Sequence, residues 1–139
     1  MSTAIVIISH GRTAEALLET VEMICGKQKN TAAVNFYMDM DNLILMENCK
    51  NKISFLDIEE GIIFFVDIFG GTPFNTAYIL SKTYKNSYII SGVNIPMLIE
   101  AYEIRNDNIE LEEKISLIKK SAIETISGII DNKSNEDDE

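Results

Sequence analysis

Two short, unbroken apolar runs, Ala4-Ile5-Val6-Ile7-Ile8 and Ile62-Ile63-Phe64-Phe65-Val66, constrain this chain more than any other feature. Each has the length of a strand, is rich in β-branched or aromatic residues and lacks alternating polar positions. That pattern belongs to strands buried on both faces, as in a parallel sheet with helices above and below. The intervening segments fit. Thr13 to Cys25 places Ala14, Leu17, Leu18, Val21, Ile24 and Cys25 at helical spacing, and Gly26 stops it. Ala32 to Met38 reads as a second strand. Leu43 to Phe55 reads as a second helix with Leu43, Met46, Cys49 and Ile53 inward. Thr72 is expected to cap a helix that begins at Pro73 and runs to about Lys82. Ser87 to Ser91 is a fourth strand. Helices follow at Met97 to Arg105 and at Glu110 to Ile126, the latter with Leu111, Ile115, Ile118, Ala122 and Ile126 on one stripe.

Strand–helix alternation predicts an α/β fold: a single doubly wound, mainly parallel sheet with helices on both faces. Right-handed crossovers and the common order 2-1-3-4 set strands one and three side by side. Ile129-Ile130 is a candidate for a short antiparallel C-terminal edge strand. One domain is expected over residues 1–131, and residues 132–139 read as a solvated, disordered acidic tail.

Composition narrows the partners. Net charge is −10, of which Glu136-Asp137-Asp138-Glu139 carry four. Such a chain is repelled by nucleic acid and anionic lipid, so no nucleic-acid partner is expected and a basic protein partner is favoured. No apolar run approaches the ~18 residues of a membrane span, and the start lacks the basic residues of a signal peptide. Cys25 and Cys49 have no CxxC spacing, so two reduced thiols in a cytoplasmic protein are expected. One histidine and two scattered thiols are too few ligands for a zinc site, and neither a metal nor a cofactor is called for.

The lone histidine, His10, stands where the first strand ends, before Gly11. Asp67 ends the third strand, followed by Ile68-Phe69-Gly70-Gly71-Thr72-Pro73-Phe74-Asn75. Ligands of open α/β sheets bind outside the carboxyl ends of the strands, at the switch point of the topology. A carboxylate accepting from one imidazole N–H fixes the tautomer and leaves the other nitrogen to attack. Gly70-Gly71 lets backbone N–H groups approach an anion, and the following helix aims its positive end there. The Thr72 hydroxyl is a further donor or only a cap. Each signal also has an ordinary reading: a surface histidine, a turn aspartate, a capped helix in a plain loop.

Ile7-Ile8-Ser9-His10-Gly11, Val66 to Asn75, and Ser91-Gly92-Val93-Asn94-Ile95-Pro96-Met97-Leu98 resemble the EIIA domain of the mannose-family sugar phosphotransferase system. The resemblance runs from Ala4 to about Ile126. It implies a cytoplasmic phosphocarrier in which a histidine takes a phosphoryl group from the carrier protein HPr and passes it to an EIIB domain, which serves membrane partners EIIC and EIID. On matching positions it makes His10 the acceptor through Nε2 and Asp67 the residue that orients Nδ1–H. Gly71 and Thr72 would bind phosphoryl oxygens, where the family commonly has serine in place of Thr72. Gly11, Phe69, Gly70, Asn94 and Pro96 would wall the site. It also implies a homodimer with an exchanged C-terminal strand, for which Ile129-Ile130 is a thin candidate, and an EIIB on a separate chain.

The rivals are the EIIA-like phosphoryl donor of a dihydroxyacetone kinase system and a non-catalytic ligand-binding α/β module. A histidine phosphatase needs an arginine where Ser9 stands and a second histidine. A receiver domain needs an acidic cluster after strand one, and flavodoxin needs a Ser/Thr-rich loop there.

Overall fold

Ala4–His10 (β1) and Ile62–Val66 (β3) lie side by side in parallel, with Ile8 opposite Val66. The structure is a computed structural model that describes residues 2–130. Thr31–Phe36 (β2) pairs with the other side of β1, and Ser87–Ile90 (β4) pairs with β3, so the order is β2-β1-β3-β4 and every pairing is parallel. Both runs are buried: every residue of β3 is at most 1% exposed, and Ala4 to Ile8 are fully buried. Among the described residues there are five helices: α1 (Thr13–Cys25), α2 (Asn42–Ile53), α3 (Gly71–Thr83), α4 (Ile95–Ile104) and α5 (Leu111–Glu124). None of the described helices is long and apolar enough to cross a membrane.

The strand period of two divides the core. Ile5, Ile7, Ile63 and Phe65 face α1, α4 and α5. Ala4, Val6, Ile8, Ile62, Phe64 and Val66 face α2 and α3. Helix α1 leaves β1 over one face while α3 leaves β3 over the other, and the divergence opens a crevice between their strand ends.

Several local expectations need correcting. Ile24 was expected inward and is 59% exposed, while Val21 and Cys25 turn to the core. In α2 the inward residues are Leu45, Cys49 and Ile53, with Met46 partly buried against the same core, while Leu43 is 75% exposed. Helix α4 begins at Ile95, with the Asn94 side chain accepting from Met97 N–H at 3.0 Å. Ile126 follows the end of α5 and is 80% exposed. Residues 126–130, including the Ile129-Ile130 candidate, form no strand within the single chain. The acidic tail at 132–139 lies outside the described residues. Cys49 is buried and Cys25 half-buried, both as free thiols, and burial pushes the Cys49 thiol up to about 12.

The sheet starts from a tight junction at Gly61. Its φ is +94°, and a Cβ there would stand 2.9 Å from the Asn86 carbonyl oxygen and 3.0 Å from Leu111 Cδ2. That carbonyl accepts from Ile62 N–H, and the Gly61 carbonyl accepts from Ala4 N–H, so neither strand can yield. Gly61→Ala is expected to cost about 2–4 kcal/mol and to lower Tm by about 10 °C. An unchanged Tm in a thermal melt would contradict this.

Candidate active site

His10 is the last residue of β1 and Asp67 the first residue beyond β3, on adjacent strands. One carboxylate oxygen, Asp67 Oδ2, accepts twice from His10: from its backbone N–H at 2.9 Å and from ring Nδ1 at 2.9 Å. The other oxygen, Oδ1, accepts from Ile68 N–H at 3.0 Å. The carboxylate is thereby fixed in direction, and Nδ1 is the protonated nitrogen in the tautomer this bond requires. Nε2 is left uncommitted on a side chain that is 46% exposed.

Burial raises the cost of the Asp67 charge, but the hydrogen bonds and the positive side of the His10 pair outweigh it and hold the pKa below the ordinary 3.8. The carboxylate therefore adds stability above the ordinary carboxylate range. That stability is lost only as pH falls through the lower folded value, and Asp67 is an anion at any pH where histidine reacts.

The loop after β3 turns under the imidazole. Gly70 and Gly71 both have φ of +84°, which glycine adopts without strain. A Cβ on Gly71 would stand 3.6 Å from His10 Cε1 and 3.9 Å from Nε2, so its backbone passes the reactive edge of the ring. Helix α3 starts at Gly71 with no side-chain cap bond. Thr72 is thus inside the first turn and does not cap the helix from outside, because the glycine pair makes the turn itself. The first N–H groups of α3 have no partner within the helix, and they lie at the positive end of its dipole.

The remaining residues divide. Gly11 follows His10 with φ of +60° and donates its N–H to the Phe36 carbonyl at 2.8 Å, closing β1 against β2. Phe69 is 79% exposed and packs on Phe74 at 4.5 Å between ring centres. Phe69 and Asn94 both line a neighbouring cleft of about 390 Å³ that runs past Ser91, Lys119 and Ile123. The loop holding Asn94 is tied to the site by Gly92 N–H, which donates to the Asp67 carbonyl at 3.1 Å. Pro96 sits in the first turn of α4 and does not line that cleft. Sequence reasoning overlooked Phe36, whose ring meets the His10 imidazole edge-on at 5.9 Å and 75°. Its signal is the pairing register His10↔Phe36, which no sequence pattern displays.

Comparison with known proteins follows the same lines. The model of the family described as the PTS system fructose IIA component matches residues 4–119. The mannose-specific EIIAB component of Escherichia coli K12 is 36% identical over 129 residues, which are 93% of this chain and 40% of that protein. The chain thus spans less than half the length of that relative. The fructose-specific EIIA component of Bacillus subtilis is 31% identical over 116 residues, 84% of this chain and 79% of that protein. Among solved structures, the phosphotransferase system component EIIA from Streptococcus agalactiae superposes with a TM-score of 0.81 at 26% identity, covering 91% of this chain and 96% of that one. The mannose/sorbose-specific IIA subunit from Enterococcus faecalis has a TM-score of 0.82 at 22% identity, covers 96% of this chain and 99% of that one, and supports the fold alone.

Proposed function

The chain belongs to the mannose-family EIIA phosphotransferase components of the sugar phosphotransferase system, and from this we propose that His10 is its phosphoryl carrier, charged by phospho-HPr and discharged to an EIIB domain. The observation that carries this reading is the double hydrogen bond from His10 to Asp67, which commits Nδ1 and leaves Nε2 open beside Gly71.

The reaction needs little else. The Nε2 lone pair attacks the donor's phosphorus. A new N–P bond forms as the donor's bond to phosphorus breaks, and that bond's electron pair leaves with the donor. The Nδ1 proton stays in its bond to Asp67, whose negative charge offsets the positive charge gathering on the ring. The backbone N–H groups of Gly71 and Thr72, the Thr72 hydroxyl and the α3 dipole receive the phosphoryl oxygens. Discharge reverses the same steps toward EIIB, so the carrier works in the cytoplasm beside membrane EIIC and EIID.

A homodimer belongs to this reading. The outer edge of β4 carries no strand among the described residues, and Ile126 and Ile129, which follow α5, are exposed.

The test is intact-mass spectrometry at mildly alkaline pH after incubation with phosphoenolpyruvate, enzyme I and HPr. The expected result is one acid-labile phosphoryl adduct that disappears when a cognate EIIB is added. Phosphorylated HPr without any adduct on this chain would reject the assignment. Charging instead by the donor of a dihydroxyacetone kinase system would move the protein to that pathway.

A further inference from the structure

The chain has 22 acidic residues against 12 basic ones, so anions are plentiful for every cation. Among the described residues the ion pairs are nevertheless only His10–Asp67 and Arg12–Glu15. Three of the unpaired cations, Lys27, Lys29 and Arg105, line one open hollow of about 830 Å³. It lies where the strands begin, since Ser2 before β1 and Asn30 before β2 share its wall. His10, the last residue of β1, is at the other end of the sheet.

Arg105 is the unusual member. It is 6% exposed, yet no carboxylate pairs with it. Its guanidinium donates to the Lys29 carbonyl at 2.6 Å, to Gln28 Oε1 and Thr31 Oγ1 at 3.3 Å, and to the Asn30 carbonyl at 3.4 Å. These acceptors satisfy its hydrogen bonds and leave its charge unbalanced. Lys114, which donates to the Arg105 carbonyl at 2.6 Å, is a second buried cation without an ion pair. The negative ends of α1 and α4 favour cations here, but that attraction does not require burial. The walls of the hollow are held in place. Asn30 has a left-handed φ of +57°, its amide donates to the Ser2 carbonyl at 3.1 Å and the Asp57 carbonyl at 2.8 Å, and its Oδ1 accepts from Asp57 N–H at 2.7 Å. The Asp57 carboxylate, the acid on the rim, accepts from Glu59 N–H at 3.0 Å. Phe55 lines the same hollow and is 82% exposed, so its aromatic face is free for a ligand.

We propose that this hollow is a second binding site, one for an organic phosphate, with the dianionic phosphoryl group among Lys27, Lys29 and Arg105 and a ring of the ligand on Phe55. A phosphate supplies the counter-charge that Arg105 lacks, and the two lysines meet it as point charges. The cross-tied walls leave little ordering to be done on binding. The site shares no residue with the one at His10, so it stands or falls apart from the phosphocarrier reading.

The test is an NMR titration of the ¹⁵N-labelled chain with glucose 6-phosphate, with AMP and with inorganic phosphate, each alone. The expected result is saturable amide shifts at Lys27 to Asn30 and at Asn106, with an organic phosphate bound about tenfold more tightly than inorganic phosphate. The tighter of the two organic probes separates a sugar source from a nucleotide source. Lys27, Lys29 and Phe55 are exposed, so their variants are expected to keep the wild-type Tm. Lys27→Ala/Lys29→Ala should weaken binding by about tenfold or more, and Phe55→Ser should remove the advantage over inorganic phosphate. Absence of shifts up to about 10 mM of every probe, shifts confined to the Gly70–Thr72 loop beside His10, or equal binding by wild type and the lysine variant would overturn the proposal. Inorganic phosphate binding as tightly as both organic probes would overturn it too, by leaving the ring no part in recognition.

Discussion

His10→Ala is expected to leave a folded protein that accepts no phosphoryl group from any donor. The chain has one histidine, and the other nucleophiles have no equivalent setting. Cys49 is buried with its thiol held protonated, and Cys25 lies at the far end of α1 from His10. The structural cost is small. The His10 backbone N–H keeps its bond to Asp67, and the lost ring is half exposed. Loss of the ring bond and the Phe36 contact is worth about 1 kcal/mol, a shift of a few degrees in Tm. Circular dichroism with intact-mass analysis reads both quantities. A native-like variant that still gained the adduct would move the acceptor elsewhere in the chain.

Substitutions at Asp67 are expected to separate two contributions that the carboxylate makes at once. In Asp67→Ala the ring loses its tautomer constraint and its counter-charge. Transfer from phospho-HPr should slow by about 10²-fold, with the range near 10- to 1,000-fold. The adduct still forms, because the nucleophile remains. Asp67→Asn keeps an acceptor where Oδ2 now stands, since the His10 N–H continues to require one. Its amide group then meets Ile68 N–H, which at present donates to Oδ1. The asparagine variant therefore preserves the Nδ1–H tautomer but removes the charge, and its rate should fall between wild type and Asp67→Ala. Rapid-quench kinetics at saturating phospho-HPr would resolve the three. Identical rates in all of them would remove Asp67 from the reaction.

The sheet order and the two strand ends were legible because both follow from short-range signals. An unbroken apolar run announces a doubly buried strand, and the rules for right-handed crossovers leave few orders. His10 and Asp67 were then adjacent by topology alone. Where the structure departs from expectation, the deciding interaction is not encoded in local pattern. Leu43-Ile44-Leu45-Met46 is continuously apolar, so its period cannot choose a face of α2; packing against β2 and α3 selects Leu45 and leaves Leu43 for solvent. Thr72 has the chemistry of a cap, but two glycines of positive φ precede it and start the helix two residues earlier.

Lys114 shows the same limit elsewhere. Lysine is ordinarily solvent-exposed, yet this residue is 4% exposed. Its Nζ donates to the Arg105 carbonyl at 2.6 Å and to Thr3 Oγ1 at 3.0 Å, and burial holds its pKa below the ordinary value. Those acceptors come from residues distant in sequence and become visible only when the fold assembles them. Phe36 falls in this class as well, since its contact with His10 depends on strand register.

The central claim is that Asp67 commits Nδ1 of His10 and so directs the phosphoryl group to Nε2. Its most direct test is ³¹P–¹⁵N correlation NMR on the freshly charged, ¹⁵N-labelled protein at alkaline pH. The account predicts a single phosphorus coupled to Nε2 of His10, with Nδ1 still protonated. Phosphorus coupled to Nδ1, or to no histidine nitrogen, would contradict it.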